Sequence, residues 1–431
     1  MMIFRRVAIS LLLLLCVSIT SAQQTVVLTP QQANDRVSGY IINSNYGALS
    51  RELPALREVI VPRLLLLSDA LVAYHEGRHE ESNAFIDLLP QYEEELGGAV
   101  ITSMKKIAYY NALVLEQYAK AGEYLNAVAQ GSDESQLQTI GYFQRWMESM
   151  AGRKPVQVKK SKRDKMFSIA NRKVGDGSLL MVEAMVGRQS MDMIFDTGCC
   201  FANCITEEAA ERLGVKVVLD ELPVNGVAGN TYAKVGVLPR MKIGDVVVKN
   251  ATFFIMDKIV DTQSVERVDA VLGTHVLRAM GEMQIDISEG VVTLPAEPSA
   301  APERCNLSYH TGNYGIEIAY NGNPMVAHLD TGSNSTDLSS RFYNLYRADV
   351  ESVAASRVKI RRSGVGGGRE FEVVKVPGLG LNVAGRTMVL NPINVYTQGG
   401  DSSWYGVMGA DFLPNAGRTT LDLQRMFLRI E

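Results

Sequence analysis

The sequence predicts a multidomain chain in which an N-terminal all-α region of helical hairpins precedes an all-β region built from one lobe used twice. Three observations carry this. Between Asn45 and Glu148 prolines are few and apolar residues recur at helical spacing. Beyond Lys165 short apolar runs alternate with glycine-bearing turns. Asp-Thr-Gly stands at 196–198 and again at 330–332, each time at the end of an apolar run.

Residues 1–22 read as a secretory signal, with Arg5 and Arg6, an apolar run from Val7 to Val17, and Thr20-Ser21-Ala22 as a small-residue cleavage site. The run is too short to span a bilayer, and no later segment is apolar enough to do so. Leu15 before Cys16 fits lipid attachment poorly. The expected location is therefore exported, periplasmic or extracellular.

The helical region is expected over 25–150, with stripes such as Leu64, Leu67, Leu71, Tyr74 and Ile107, Leu113, Tyr118. Helix closures at glycine are expected at Tyr74 to Gly77 and at Tyr118 to Gly122. The pattern loosely resembles helix-hairpin repeats of the tetratricopeptide kind, and an ordinary helical bundle fits as well. Such a region offers a surface for a protein partner.

His75-Glu-Gly-Arg-His79 matches a zinc-peptidase pattern that needs two imidazoles one turn apart on an unbroken helix. Gly77 interrupts that helix at a cost of about 1 kcal/mol relative to alanine. No third ligand follows, because His275, His310 and His328 lie in the β region. An exposed turn between helices is the expectation, with no metal site.

Residues 151–165 hold Lys159, Lys160, Lys162, Arg163 and Lys165 and read as a solvated basic linker. The first lobe is expected over 166–295, opening with a hairpin of Ser178 to Val186 and Met191 to Phe195 about Gly187. A connector rich in proline and small residues follows at 296–304. The second lobe, 305–431, repeats the hairpin as Gly315 to Tyr320 and Met325 to Leu329 around Asn321-Gly-Asn-Pro324.

The duplication is quantitative. Gly273 of Val271-Leu-Gly stands 77 positions after Asp196, and Gly409 of Val407-Met-Gly stands 79 after Asp330. In each case an apolar-Asp-apolar triplet, centred on Asp286 or Asp422, follows 13 positions later. A repeat of this size is a domain, far longer than a solenoid unit.

Phe195-Asp-Thr-Gly, Leu329-Asp-Thr-Gly, the two apolar-apolar-Gly elements and the glycine-rich hairpins between them resemble the aspartic peptidases, each lobe being most similar to a retropepsin-type unit. The resemblance covers about 165–431 and implies an acid-protease, retropepsin-like bilobal domain carrying both aspartates in one chain. It implies that Asp196 and Asp330 form a catalytic dyad, with Thr197, Gly198, Thr331, Gly332 and Ser333 supporting it. It also implies that the Thr197 and Thr331 hydroxyls bond across to the opposite loop.

The chemistry has a physical reason. Two carboxyl groups at hydrogen-bond distance cannot both ionise cheaply, so they share a proton; aspartic proteases are the standard example of this behaviour. The ionised member then takes a proton from a water held between the carboxyls, and the protonated one bonds the scissile carbonyl. Glycine after threonine permits close backbone approach.

Candidate flaps are the hairpin tips at Gly226 and Gly229 in the first lobe and at Gly364, Gly366 and Gly367 in the second. Arg357, Lys359 and Arg361 leave the second, Glu370 and Glu372 return, and opposite charges facing across a hairpin suit it. No Lys-Ser/Thr or opening helix follows, so the loop does not cradle phosphate. Cys199 takes the place after the first glycine where Ser333 stands in the second. A thiol mechanism would need an activating histidine, and none can be placed.

Leaving aside Cys16, four cysteines remain, and Cys204 with Cys305, or either with Cys200, are all open pairings. With 43 basic and 47 acidic residues, the formal charge is −4, which gives no case for nucleic acid. The reading is an exported aspartic endopeptidase acting on peptide or protein substrates without a cofactor. The competing reading is a non-catalytic peptide-binding protein with the same cleft.

Overall fold

The computed structural model describes residues 28–431 except 176, 227–228, 260–267, 355, 366 and 400–402. The expected signal peptide and Gly366 of the second hairpin tip therefore lie outside the described residues.

Helices fill the chain from Pro30 to Met150. Thr29 opens the first through a capping box with Gln32, and Asp133 opens the helix Glu134–Met150 the same way with Gln136. Two antiparallel hairpins lie between: Pro62–His75 with His79–Leu88, and Gly98–Val114 with Tyr118–Ala129. The first turns at Gly77, whose φ of +69° is left-handed. The second departs from expectation. Gly122 sits inside a helix, and the chain turns instead at Glu116, a non-glycine residue at φ +53°. The Glu116 carboxylate accepts the Val156 amide at 2.9 Å, a contact 40 positions away that no local pattern announces.

The His75–His79 segment is not the exposed turn anticipated. His75 ends one helix and His79 starts the next. The buried His79 ring hydrogen-bonds with Asn111 Oδ1 at 2.8 Å and meets Tyr309 of the second lobe edge-on, with 4.5 Å between centroids. Burial lowers its pKa to about 3. Among the described residues no cluster of three or more His, Cys, Asp or Glu could hold a metal.

The basic segment is more ordered than a solvated linker. Gln157–Val158 adds an edge strand to the first lobe against Val248 and Lys249, and Lys165–Ser168 pairs with Val291–Leu294. Its charged side chains remain outside, while Val156 and Val158 pack on the core.

Each lobe is built around a mixed sheet. The opening hairpins are Gly177–Val186 with Gln189–Phe195 and Asn313–Tyr320 with Asn323–Leu329. The short apolar runs before Gly273 and Gly409 have a structural purpose: Ala270–Leu272 lies parallel to Gln189–Phe195, and Gly406–Met408 lies parallel to Asn323–Leu329. A five-stranded sheet joins the lobes, with Met283–Asp286 of one antiparallel to Arg418–Asp422 of the other. Beneath it, Arg425 bonds Asp422 and buried Glu282, and donates to the Ser299 carbonyl at 2.6 Å, which pins the connector.

The helical region is bolted to both lobes. Tyr74 accepts the Thr311 amide on its hydroxyl at 2.5 Å, and a Cβ on Gly77 would lie 2.6 Å from Met426 Sδ. On the first lobe Trp146 packs edge-on to Phe254 at 5.6 Å, and Tyr110 stacks on Phe201 at 6.0 Å. Among the described residues no helix is long and apolar enough to cross a membrane.

Candidate active site

Asp196 follows the strand Gln189–Phe195 and Asp330 follows Asn323–Leu329. Their amides donate to Leu272 O at 3.1 Å and Met408 O at 3.0 Å, so the parallel neighbour strand fixes where each aspartate leaves its sheet. The two then meet across the lobe boundary, half-buried on the floor of one cleft.

The threonines hold this arrangement from both sides. Thr197 Oγ1 donates to Leu329 O at 2.9 Å and accepts Thr331 N at 3.0 Å. Thr331 Oγ1 donates to Phe195 O at 2.8 Å and accepts Thr197 N at 3.1 Å. These four bonds are fully buried, and each pairs a group that water cannot reach.

Each aspartate also accepts two amides of its own loop: Gly198 N at 2.6 Å and Cys199 N at 3.0 Å on Asp196 Oδ1, and Gly332 N at 3.0 Å and Ser333 N at 3.2 Å on Asp330 Oδ1. The glycines serve a further need. A Cβ on Gly198 would stand 2.5 Å from the Asp330 carboxyl carbon, and one on Gly332 would overlap the Asp196 carboxyl group. Glycine is required because each loop passes against the opposite lobe's acid.

Burial, reinforced by the facing Asp330 carboxylate, raises the Asp196 pKa well above the ordinary aspartate value, while the Gly198 and Cys199 amides pull the other way. The two carboxyl groups lie close enough to act on each other directly, each against the glycine of the other's loop. Such a pair holds one proton between two acids.

The loops after the dyad are anchored by side chains that the motifs did not flag. Asn203 Oδ1 accepts Gly273 N at 2.9 Å, and Thr336 Oγ1 accepts Gly409 N at 3.1 Å while donating to Asp411 at 2.7 Å. Asn203 and Thr336 stand 7 and 6 positions after their aspartates, so aligning the repeats without a gap sets Asn203 against Asp337 and hides their shared role.

Both expected hairpins close over the cleft. They are Lys216–Gly226 with Gly229–Ile243, and Ser356–Gly364 with Gly367–Val376. Gly226 faces Gly229 as Gly364 faces Gly367. The tips touch, since a Cβ on Gly226 would overlap the Val365 carbonyl. In the second hairpin Lys359 stands opposite Glu372 and Arg361 opposite Glu370, whereas Arg357 pairs with Glu351 outside it. Arg362 reaches down from that hairpin to the buried Asp337 carboxylate, and also donates to Ser335 Oγ at 2.9 Å and Asn334 Oδ1 at 3.2 Å.

The four cysteines among the described residues are free thiols, so none of the pairings left open by the sequence is formed. Cys199 Sγ lies 3.6 Å from Cys204 Sγ, and Cys305 donates to Arg425 O at 3.2 Å on the surface. The hydrogen bond with Cys204 and burial raise the Cys199 pKa well above an ordinary thiol, the reverse of what a nucleophile needs.

The model of a family described as aspartyl protease matches residues 182–276, the part of the first lobe that carries Asp196, Thr197 and Gly198. The β region has the two-lobed aspartic-peptidase fold. Solved structures similar to the chain include an aspartic proteinase from Irpex lacteus, at 12% identity and TM-score 0.39, covering 62% of this chain and 96% of that one. Basic 7S globulin from soybean is similar at 10% identity and TM-score 0.37, covering 62% and 94%. No curated protein matches the sequence. The likeness to solved structures is remote, and the chemistry of the β region rests on its own geometry.

Proposed function

We propose that this chain is an exported aspartic endopeptidase that hydrolyses peptide bonds through the Asp196 and Asp330 dyad. The observation that carries the reading is the reciprocal threonine grip, which holds acids of two separate lobes side by side beneath two touching hairpins. A peptide-binding module has no physical need for two carboxyl groups that must share a proton.

In this reading the ionised carboxylate draws a proton from a water between the acids. The water oxygen attacks the scissile carbonyl carbon, whose oxygen is hydrogen-bonded by the protonated acid. The touching tips part to admit the substrate and then exclude bulk water. An extended peptide would pair its backbone with the hairpin edges. Export rests on the charge and apolar pattern of residues 1–22.

The test is hydrolysis of denatured casein across pH by wild type and by Asp196→Asn. The substitution is expected to lower kcat by about 10³-fold, within the range for loss of a positioned acid or base. Activity of the wild type is expected to fall as pH rises through the raised Asp196 value, because the shared proton is then lost. Undiminished cleavage by Asp196→Asn would end the proposal.

A further inference from the structure

The cleft above the dyad does not stop at the lobes. A single cavity of about 2160 Å³ is lined both by the aspartates and hairpin tips and by residues of the helical region. Small-molecule pockets run to roughly 1,000 Å³, so this space is scaled to a polymer.

The helical wall has a regular origin. Thr102, Lys106 and Tyr110 recur at four-residue intervals on the helix Gly98–Val114, and Gln136, Thr139 and Phe143 follow at three and four on Glu134–Met150. That spacing puts each set on one face. Both stripes run toward the first lobe, ending where Tyr110 stacks on Phe201 and Trp146 meets Phe254. Leu222 of the first hairpin is buried in the same core as these helices, so hairpin and helices form one wall.

The chemistry of the outer stretch is mostly neutral and polar: Thr102, Gln130, Ser135, Gln136 and Thr139 offer hydroxyl and amide groups. Such groups both donate and accept, which suits the main chain of an extended peptide. Charge on this stretch is limited to Lys105, Lys106 and Glu93, and Lys105 is paired with Asp87, so neutral groups make up most of the wall. At the inner end aromatic rings replace them and offer a seat for an apolar side chain.

We propose that the groove between Gly98–Val114 and Glu134–Met150 is the outer part of the substrate site, holding the same extended polypeptide that is cut at the dyad, several residues from the scissile bond. The inference rests on the peptidase reading. It assigns the helical region a selective role: long unfolded segments are preferred over short peptides, because a second stretch of contacts adds to the hold on one chain.

The experiment compares two internally quenched peptides with one shared cleavage sequence, about six and about twenty residues long, which extend to about 20 Å and about 70 Å at about 3.4 Å per residue. Thr139→Trp fills the groove from an exposed helix position. For the wild type, KM for the long peptide is expected about tenfold below that for the short one, and in Thr139→Trp that ratio is expected to shrink to near one. An unaltered ratio overturns the inference while leaving the peptidase reading standing. If neither peptide is cut by wild type, the peptidase reading fails instead. Fluorescence anisotropy of the labelled long peptide then decides the groove, because equal binding by wild type and Thr139→Trp rejects it and weaker binding by the variant supports it. An unchanged melting temperature and circular dichroism spectrum establish that the variant is folded.

Discussion

The two lobes agree where their aspartates meet and differ around that point. Both present an aspartate after an apolar strand, a threonine reaching across, a glycine against the opposite acid and a hairpin tip above. Yet the hairpins are held by different means. The first has Leu222 and Val235 in the helical core and Tyr232 beside Tyr142 at 6.0 Å. The second carries its own anchor, with Arg362 bound to Asp337 and donating to Tyr396 at 3.3 Å. Symmetry is kept where two acids must meet. Elsewhere the copies were free to find separate supports, one from a neighbouring region and one from a buried ion pair.

The largest effect on this contrast should come from Arg362→Ala. Asp337 is almost wholly buried, and burial already pushes its carboxyl pKa up against the pull of Arg362. Removing the partner leaves that buried acid with only neutral donors, among them Asn394 and Tyr396, a loss of about 3–5 kcal/mol. Urea unfolding should show it, and hydrogen exchange should rise in Ser356–Gly364 ahead of Lys216–Gly226. Equal rises in both hairpins would erase the difference between their supports.

Next come Thr197→Val and Thr331→Val. Each removes one hydroxyl and leaves a buried amide and a buried carbonyl unpaired, at roughly 1–3 kcal/mol for each group. The two losses should be similar, and Thr197→Ser should restore most of the stability. A harmless substitution in one lobe would mean that the grip is one-sided.

Glu116 gives the first support a pH dependence of its own. Burial raises its carboxyl pKa to about 7, so the fold favours the neutral form. That contribution is complete below the ordinary carboxylate range and is lost as pH rises through about 7. Glu116→Gln should therefore melt a few degrees higher than wild type at pH 8, with the gap closing by pH 5. A constant gap across pH would assign the effect to packing alone. The smallest expected change belongs to Cys199→Ala, which loses two weak thiol contacts, with Ala202 O and Cys204 Sγ, about 1 kcal/mol or less, and should cleave casein as the wild type does under the proposed function.

What could be read beforehand follows the same division. The meeting of Asp196 and Asp330 was legible because the chain writes the same tripeptide twice, each time at the end of an apolar strand. The opening hairpins were legible because strand alternation breaks at glycine, as at Gly187 and Gly322. The turn at Glu116 was hidden, since a left-handed residue other than glycine leaves no mark and its partner, Val156, is distant in sequence. Arg362 and Asp337 were hidden for a related reason, as an ion pair 25 positions apart has no periodicity. The edge strand Gln157–Val158 is too short to show alternation and forms only because the first lobe offers an open edge. The packing of helices against the first hairpin is purely tertiary, and the helical region alone gave no indication of it.

The central claim is that acids from the two lobes act as one unit. The most direct measurement is kcat on a shared peptide for Asp196→Asn, Asp330→Asn and the double variant. The account predicts that the single variants fall alike, by about 10³-fold, and that the double variant is scarcely worse than either. Losses that multiply, or one single variant that stays active, would contradict it.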